Sequence, residues 1–196
     1  MSQRYFIEIA YHGKNYIGWQ VQPTGISVQA KINEALSLFL REPINVVGCG
    51  RTDTGVHASS FFLHFDAENP LPDDLLNRLN RYLPPDIAAK RIIIQIPANA
   101  HARFDATYRA YDYYIHFNKN PFLTEFSFFF PWRPLNLEVM QQAIELLPQY
   151  FAKPAPAPKP PFVTSTKPKC TLMKPTKPCG SIWLQTGFCA AWCAAL

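Results

Sequence analysis

Gly48-Cys49-Gly50-Arg51-Thr52-Asp53-Thr54-Gly55-Val56-His57-Ala58 joins two apolar runs, residues 45–49 and 61–65. Both runs are short and rich in β-branched or aromatic residues, which reads as strand. The segment between them is then a loop that leaves one strand and enters the next. Its glycines let the backbone take conformations that a side chain forbids and approach a ligand closely. Asp53 stands near its middle, two residues after Arg51. An opposite charge a few ångströms away favours the ionised carboxylate, so Arg51 would hold Asp53 charged at neutral pH. A charged acid on such a loop is a nucleophile, a base or a cation ligand. Asp-Thr-Gly is also ordinary turn chemistry, with the aspartate as a cap.

Clear periodicity surrounds this loop. Residues 4–11 alternate enough for a strand. Ser27 can cap a helix whose apolar residues are Val28, Ile32, Ala35, Leu36 and Phe39, stopped at Pro43. Leu75, Leu76, Leu79 and Leu83 form a second helical stripe, opened by Pro72-Asp73 and closed by Pro84-Pro85. Residues 89–96 and 107–117 read as further strands, the second with tyrosines at alternate positions 111 and 113. Asn136 caps a third helix with Leu137, Met140, Ile144 and Leu147. The order β-α-β-β-α-β, then β-α, is that of split βαβ units. The predicted fold class is α+β: a mixed, mainly antiparallel sheet with helices on one face and an incomplete second half. Residues 1–100 form a first subdomain carrying the Asp53 loop, 101–151 begin a second, and 152–196 are a tail.

Charge separates tail from body. Residues 1–151 hold 13 Lys and Arg against 14 Asp and Glu, a net of −1; residues 152–196 hold 6 Lys and no acid, a net of +6. The body thus shows no global basic bias, and only a local basic cleft could serve nucleic acid. The tail also holds 8 of the 19 prolines and 4 of the 5 cysteines. Residues 152–161 suit extended polyproline, and no Cys-x-x-Cys pair points to zinc. We read the tail as mostly disordered or poorly packed. No run of about 18 apolar residues predicts a membrane span. The N-terminus enters a strand pattern without an apolar signal region, so the expected location is the cytoplasm.

Several motifs resemble one family. Gly50-Arg51-Thr52-Asp53-Thr54-Gly55-Val56-His57-Ala58 is similar to the signature of tRNA pseudouridine synthase A. So are Tyr16-Ile17-Gly18-Trp19-Gln20, Ser27-Val28-Gln29 and Ala102-Arg103-Phe104-Asp105-Ala106-Thr107. Arg109-Ala110-Tyr111-Asp112-Tyr113 resembles the segment that carries that family's stacking tyrosine. The resemblance implies an isomerase that converts uridine to pseudouridine at positions 38 to 40 of the tRNA anticodon stem-loop, with neither cofactor nor metal. It makes Asp53 the catalytic acid, attacking the sugar carbon or removing a sugar proton. Tyr111 would lie against the target uracil, and Arg51 would pair with Asp53 or with the target phosphate. His57 is read as structural, and Trp19 and Gln20 as structural or RNA-contacting. A homodimer is a further implication.

The resemblance covers residues 3–151. Beyond Phe151 the family continues with an aspartate-phenylalanine loop and a helix whose arginine reaches the Asp site, whereas the tail contains no arginine. The chain therefore reads as a frameshifted or truncated member, expected to be poorly soluble and inactive or nearly so. The alternative is a non-catalytic RNA-binding fragment. An aspartic protease would need a second aspartate sharing a proton with the first, and the chain has a single Asp-Thr-Gly.

Overall fold

The computed structural model describes residues 2–106, 109–132, 135–151, 170–173 and 181–186. Contacts divide the chain into two compact units, the first reaching Ala106. In this first unit β1 (Gln3–Tyr11), α1 (Val28–Leu40), β2 (Val47–Gly48), β3 (Ala58–Ala67), α2 (Leu75–Tyr82) and β4 (Ile87–Ile93) follow in the order read from periodicity. The sheet runs β2-β3-β1-β4, and every neighbouring pair is antiparallel. β1 takes a central place, with one face apolar from Tyr5 to Tyr11 and Phe6 buried between Arg4 and Glu8 on the other. Tyr5, Ile7 and Ile9 are buried on one face, and Phe6 is buried on the other, opposite His64 of β3.

α1 begins where Ser27 Oγ accepts the Ala30 N–H at 3.2 Å. Its buried stripe is Val28, Ile32, Ala35, Leu36 and Leu40. It ends because Arg41 turns left-handed, with φ 57°, two residues before Pro43. α2 lies beside it: the Phe39 and Tyr82 rings meet edge-on at 5.6 Å, and the Tyr82 hydroxyl donates to Glu34. Leu83 caps α2 rather than lying in it, and donates its N–H to Leu79 O.

Boundaries shift where local pairing dictates. β2 is shorter than residues 45–49 because it pairs only with Leu63 and His64. β4 is displaced from 89–96 towards the N-terminus, since the Ile87 N–H bonds Pro84 O and Ile94 is exposed. Asn80 closes the outer edge of β4: its side-chain amide accepts the Ala89 N–H and donates to Ala89 O, both at 2.8 Å. A side chain thus occupies an edge that would otherwise invite another strand.

The second unit holds β5 (Tyr111–His116), β6 (Phe128–Phe129), α3 (Leu137–Phe151), β7 (Cys170–Met173) and β8 (Ser181–Thr186). Its sheet runs β6-β5-β8-β7; β5 and β6 are parallel, and the other pairs are antiparallel. Asn136 Oδ1 accepts the N–H groups of Glu138 and Val139, each at 3.1 Å, so the third helix starts at its predicted cap. This unit has one helix among the described residues, against two in the first. No helix there is long and apolar enough to cross a membrane.

Two expectations change. Residues 101–106 belong to the first unit, where Ala102 bonds His64, instead of opening the second at residue 101. Within 152–196, read as mostly disordered or poorly packed, residues 170–173 and 181–186 form strands. The physical reason is the open edge of β5, which β8 pairs over its whole length. Residues 152–161, read as polyproline, lie outside the described residues.

Candidate active site

The Asp53 loop is fastened to the segment that follows β1. The Trp19 N–H donates to Thr52 O at 3.0 Å, and the Tyr11 and Thr52 hydroxyls meet at 2.8 Å. The Gly13 N–H donates to His57 Nδ1 at 3.0 Å, and the His12 and His57 rings lie 4.1 Å apart. The two backbones lie so close that a side chain at either contact would not fit. A Cβ on Gly18 would collide with Thr52 O, and one on Gly13 with Val56 O. Gly18 also has φ 105°, a backbone state open to glycine. The loop turns through Gly55, with φ 80°, where Val56 N–H bonds Asp53 O at 3.2 Å.

The supporting segment is itself tied to β4 through Asp86. Its carboxylate accepts from the Tyr16 hydroxyl and from Asn15 Nδ2, and its carbonyl accepts the His12 N–H. Burial first, and then Asp86, raise the Tyr16 pKa well above that of an ordinary phenol, so the hydroxyl stays a donor.

The Asp53 side chain projects from this anchored loop into solvent, with no hydrogen bond or ion pair among the described residues. Arg51 does not pair with it: no ion pair within 4.0 Å joins the two, contrary to one of the expected roles. Arg51 instead lines a cleft of about 150 Å³ with Trp19, Gln20, Gly48, Gly50 and Arg103. Two arginines and no acidic residue line this cleft, which suits an anion. Among the described residues no group of three or more His, Cys, Asp or Glu could hold a metal ion.

No family model matches the chain. Known proteins do. A tRNA pseudouridine synthase A of Parabacteroides distasonis is 49% identical over 151 residues, covering 76% of this chain and 59% of that protein. One from Bacteroides thetaiotaomicron is 48% identical over 150 residues, with 76% and 55% covered. One from Thermotoga petrophila is 38% identical over 143 residues, with 71% and 58% covered. The chain belongs to the tRNA pseudouridine synthase A family. It spans about three-fifths of the length of these curated relatives.

The residues singled out from the sequence are placed here each within its own unit. Asp53 and Arg51 share the loop of the first. Tyr111 lies on β5 of the second, 40% exposed, with Tyr113 on the same face also exposed. His57 takes the structural role read for it, as an acceptor for Gly13. Trp19 is buried against Phe61, with ring centres 4.3 Å apart, and lines the cleft. Arg103 was missed as a site residue. Its signal was present in the Ala102-Arg103-Phe104-Asp105 motif, to which no role had been attached.

Proposed function

We propose that this chain carries the catalytic loop of an enzyme that isomerises uridine to pseudouridine in the tRNA anticodon stem-loop, at positions 38 to 40, in the cytoplasm. The single observation behind this reading is an exposed carboxylate, with no hydrogen bond or ion pair among the described residues, on a loop fastened through the backbone of Thr52 and Gly55 and the side chain of His57. Catalysis by positioning needs a reactive group held by its surroundings rather than neutralised by them.

In this reading the target uridine leaves its stack, at a cost of a few kcal/mol. The bond from uracil N1 to the ribose breaks, and Asp53 acts on the sugar, as a nucleophile at carbon or as a base. The base turns and its C5 bonds to the ribose. The hydrogen on C5 leaves and N1 regains a proton, so there is no net oxidation and no added group. Arg51, beside Arg103, faces an RNA phosphate. Tyr111 lies against the uracil, where stacking contributes about 1–3 kcal/mol.

The reaction itself supplies the test. An anticodon stem-loop labelled with tritium at uracil C5 releases the label to water as the carbon–carbon bond forms. With protein in excess over RNA, a version completed with the C-terminal part that its relatives carry is expected to release label, and Asp53→Asn in that version to release none while binding RNA within several-fold of wild type. Release by Asp53→Asn at the wild-type rate would refute the assignment. The chain's coverage of about 59% of its Parabacteroides relative favours a second reading, a non-catalytic RNA binder. Tight RNA binding without label release by the unaltered chain would select it.

A further inference from the structure

Arg103 reaches the cleft on a segment that is neither helix nor strand. Residues 100–105 are fixed to the sheet by two side chains that do not line the cleft. Arg4 of β1 donates from Nη1 to Ala100 O at 2.8 Å, while its Nε and Nη2 grip the Asp66 carboxylate at 2.8 and 2.7 Å. His64 of β3 accepts the Ala102 N–H at Nδ1, 3.1 Å away in a buried contact. Its ring stacks on Phe6 at 5.5 Å and meets His101 edge-on at 4.7 Å. Beyond this clamp the chain turns sharply. Asp105 accepts the His101 N–H at 2.7 Å, and His101 Nδ1 accepts the N–H groups of Arg103 and Phe104. Ala102 is wholly buried, whereas its neighbour Arg103 is exposed.

We propose that His64 and Arg4 are positioning residues for Arg103: they pin the 100–105 turn to the sheet so that its guanidinium enters the cleft beside Arg51. This rests on the reading that the cleft takes an RNA phosphate. His64 suits the task because a neutral imidazole offers a lone pair in a close-packed apolar place. Burial, followed by the charges of Arg4 and His101, pushes its pKa down to about 4 against the opposing pull of Asp66 and Asp105. The ring is therefore neutral, and an acceptor, throughout the physiological range. Arg4 suits its task because Asp66 occupies two of its donors and aims a third at the Ala100 carbonyl. Leucine at 64 would fill the space and leave the Ala102 N–H buried without its acceptor.

The experiment measures how binding of an unlabelled anticodon stem-loop RNA by the 196-residue chain depends on salt. Each phosphate contact made by an arginine contributes about one to the slope of log affinity against log salt. Arg103→Ala is expected to lower the slope by about one. His64→Leu and Arg4→Gln should lower it by the same amount without touching RNA. His64→Asn, whose side-chain oxygen can replace Nδ1, should restore it. The double variant His64→Leu/Arg103→Ala should fall no further than either single one, because both changes remove one contact. Circular dichroism establishes which variants fold; if His64→Leu does not, Arg4→Gln carries the test, since the Arg4 side chain is 20% exposed. A lower slope for Arg103→Ala, with wild-type slopes for His64→Leu and Arg4→Gln, overturns the positioning role and leaves the cleft reading intact. Wild-type slopes for both Arg51→Ala and Arg103→Ala overturn the cleft reading, and the positioning role with it.

Discussion

The Tyr11 hydroxyl lies 2.8 Å from the Thr52 hydroxyl, joining the last residue of β1 to the residue immediately before Asp53. Both partners are held from other sides. The Tyr11 ring packs against Phe61 and Trp19, at 5.7 and 6.4 Å between centres, and Thr52 O accepts the Trp19 N–H. The direction of Asp53 is thus inherited from the sheet through one hydroxyl pair and one backbone bond.

Tyr11→Phe keeps the ring and removes this hydroxyl. The expected loss is about 1 kcal/mol of stability, the usual net worth of one hydrogen bond. Label release from tritiated stem-loop RNA should slow, while RNA affinity stays unchanged, because no phosphate contact is lost. Urea denaturation and single-turnover kinetics measure the two effects. Wild-type values in both would mean that the pair does not orient the loop.

Gly18 should tolerate alanine far less well than Gly55. Both have positive φ, but only at Gly18 does the new Cβ meet a backbone oxygen, that of Thr52; around Gly55 the space is open. Gly55→Ala bears the conformational cost alone, about 1 kcal/mol. Gly18→Ala adds displacement of the Asp53 loop, bringing the cost to about 3 kcal/mol or more. Comparison of the two melting temperatures settles the order, and equal shifts would contradict this packing.

Tyr111 separates stacking from proton movement. Tyr111→Phe keeps the face and should slow label release. Tyr111→Ala removes both and should also weaken engagement of the target uridine. Identical single-turnover rates for wild type and both variants would remove Tyr111 from the site.

His64 makes the first unit sensitive to acid. Its folded pKa, about 4, lies below the ordinary 6.5, so the unfolded chain binds the extra proton first. The contribution is complete above pH 6.5 and falls away as pH drops towards 4, by no more than about 3 kcal/mol. His64→Asn should flatten this part of the stability profile. Urea midpoints at pH 7, 5.5 and 4.5 check it; an unchanged slope in the variant would assign the acid sensitivity to other groups.

Local chemistry was legible in the sequence wherever neighbours along the chain dictate it. Ser27 and Asn136 cap the helices predicted for them, since a cap bonds backbone groups two or three residues away. The alternation of β1 and the stripe of α1 report burial directly, so the β-α-β-β-α-β order and the Asp53 loop followed from sequence alone. Spacing misled where side-chain direction matters. Arg51 and Asp53 are two residues apart, yet they do not pair, because a loop sends close neighbours different ways. Tertiary structure alone decided the rest: Thr52 held by Tyr11, Gly13 held by His57, Ala102 held by His64, and Arg103 set beside Arg51. These contacts join residues about 40 or more positions apart. They form only when strand register and chain crossing bring distant segments together, and no period or motif in one stretch encodes the position of another.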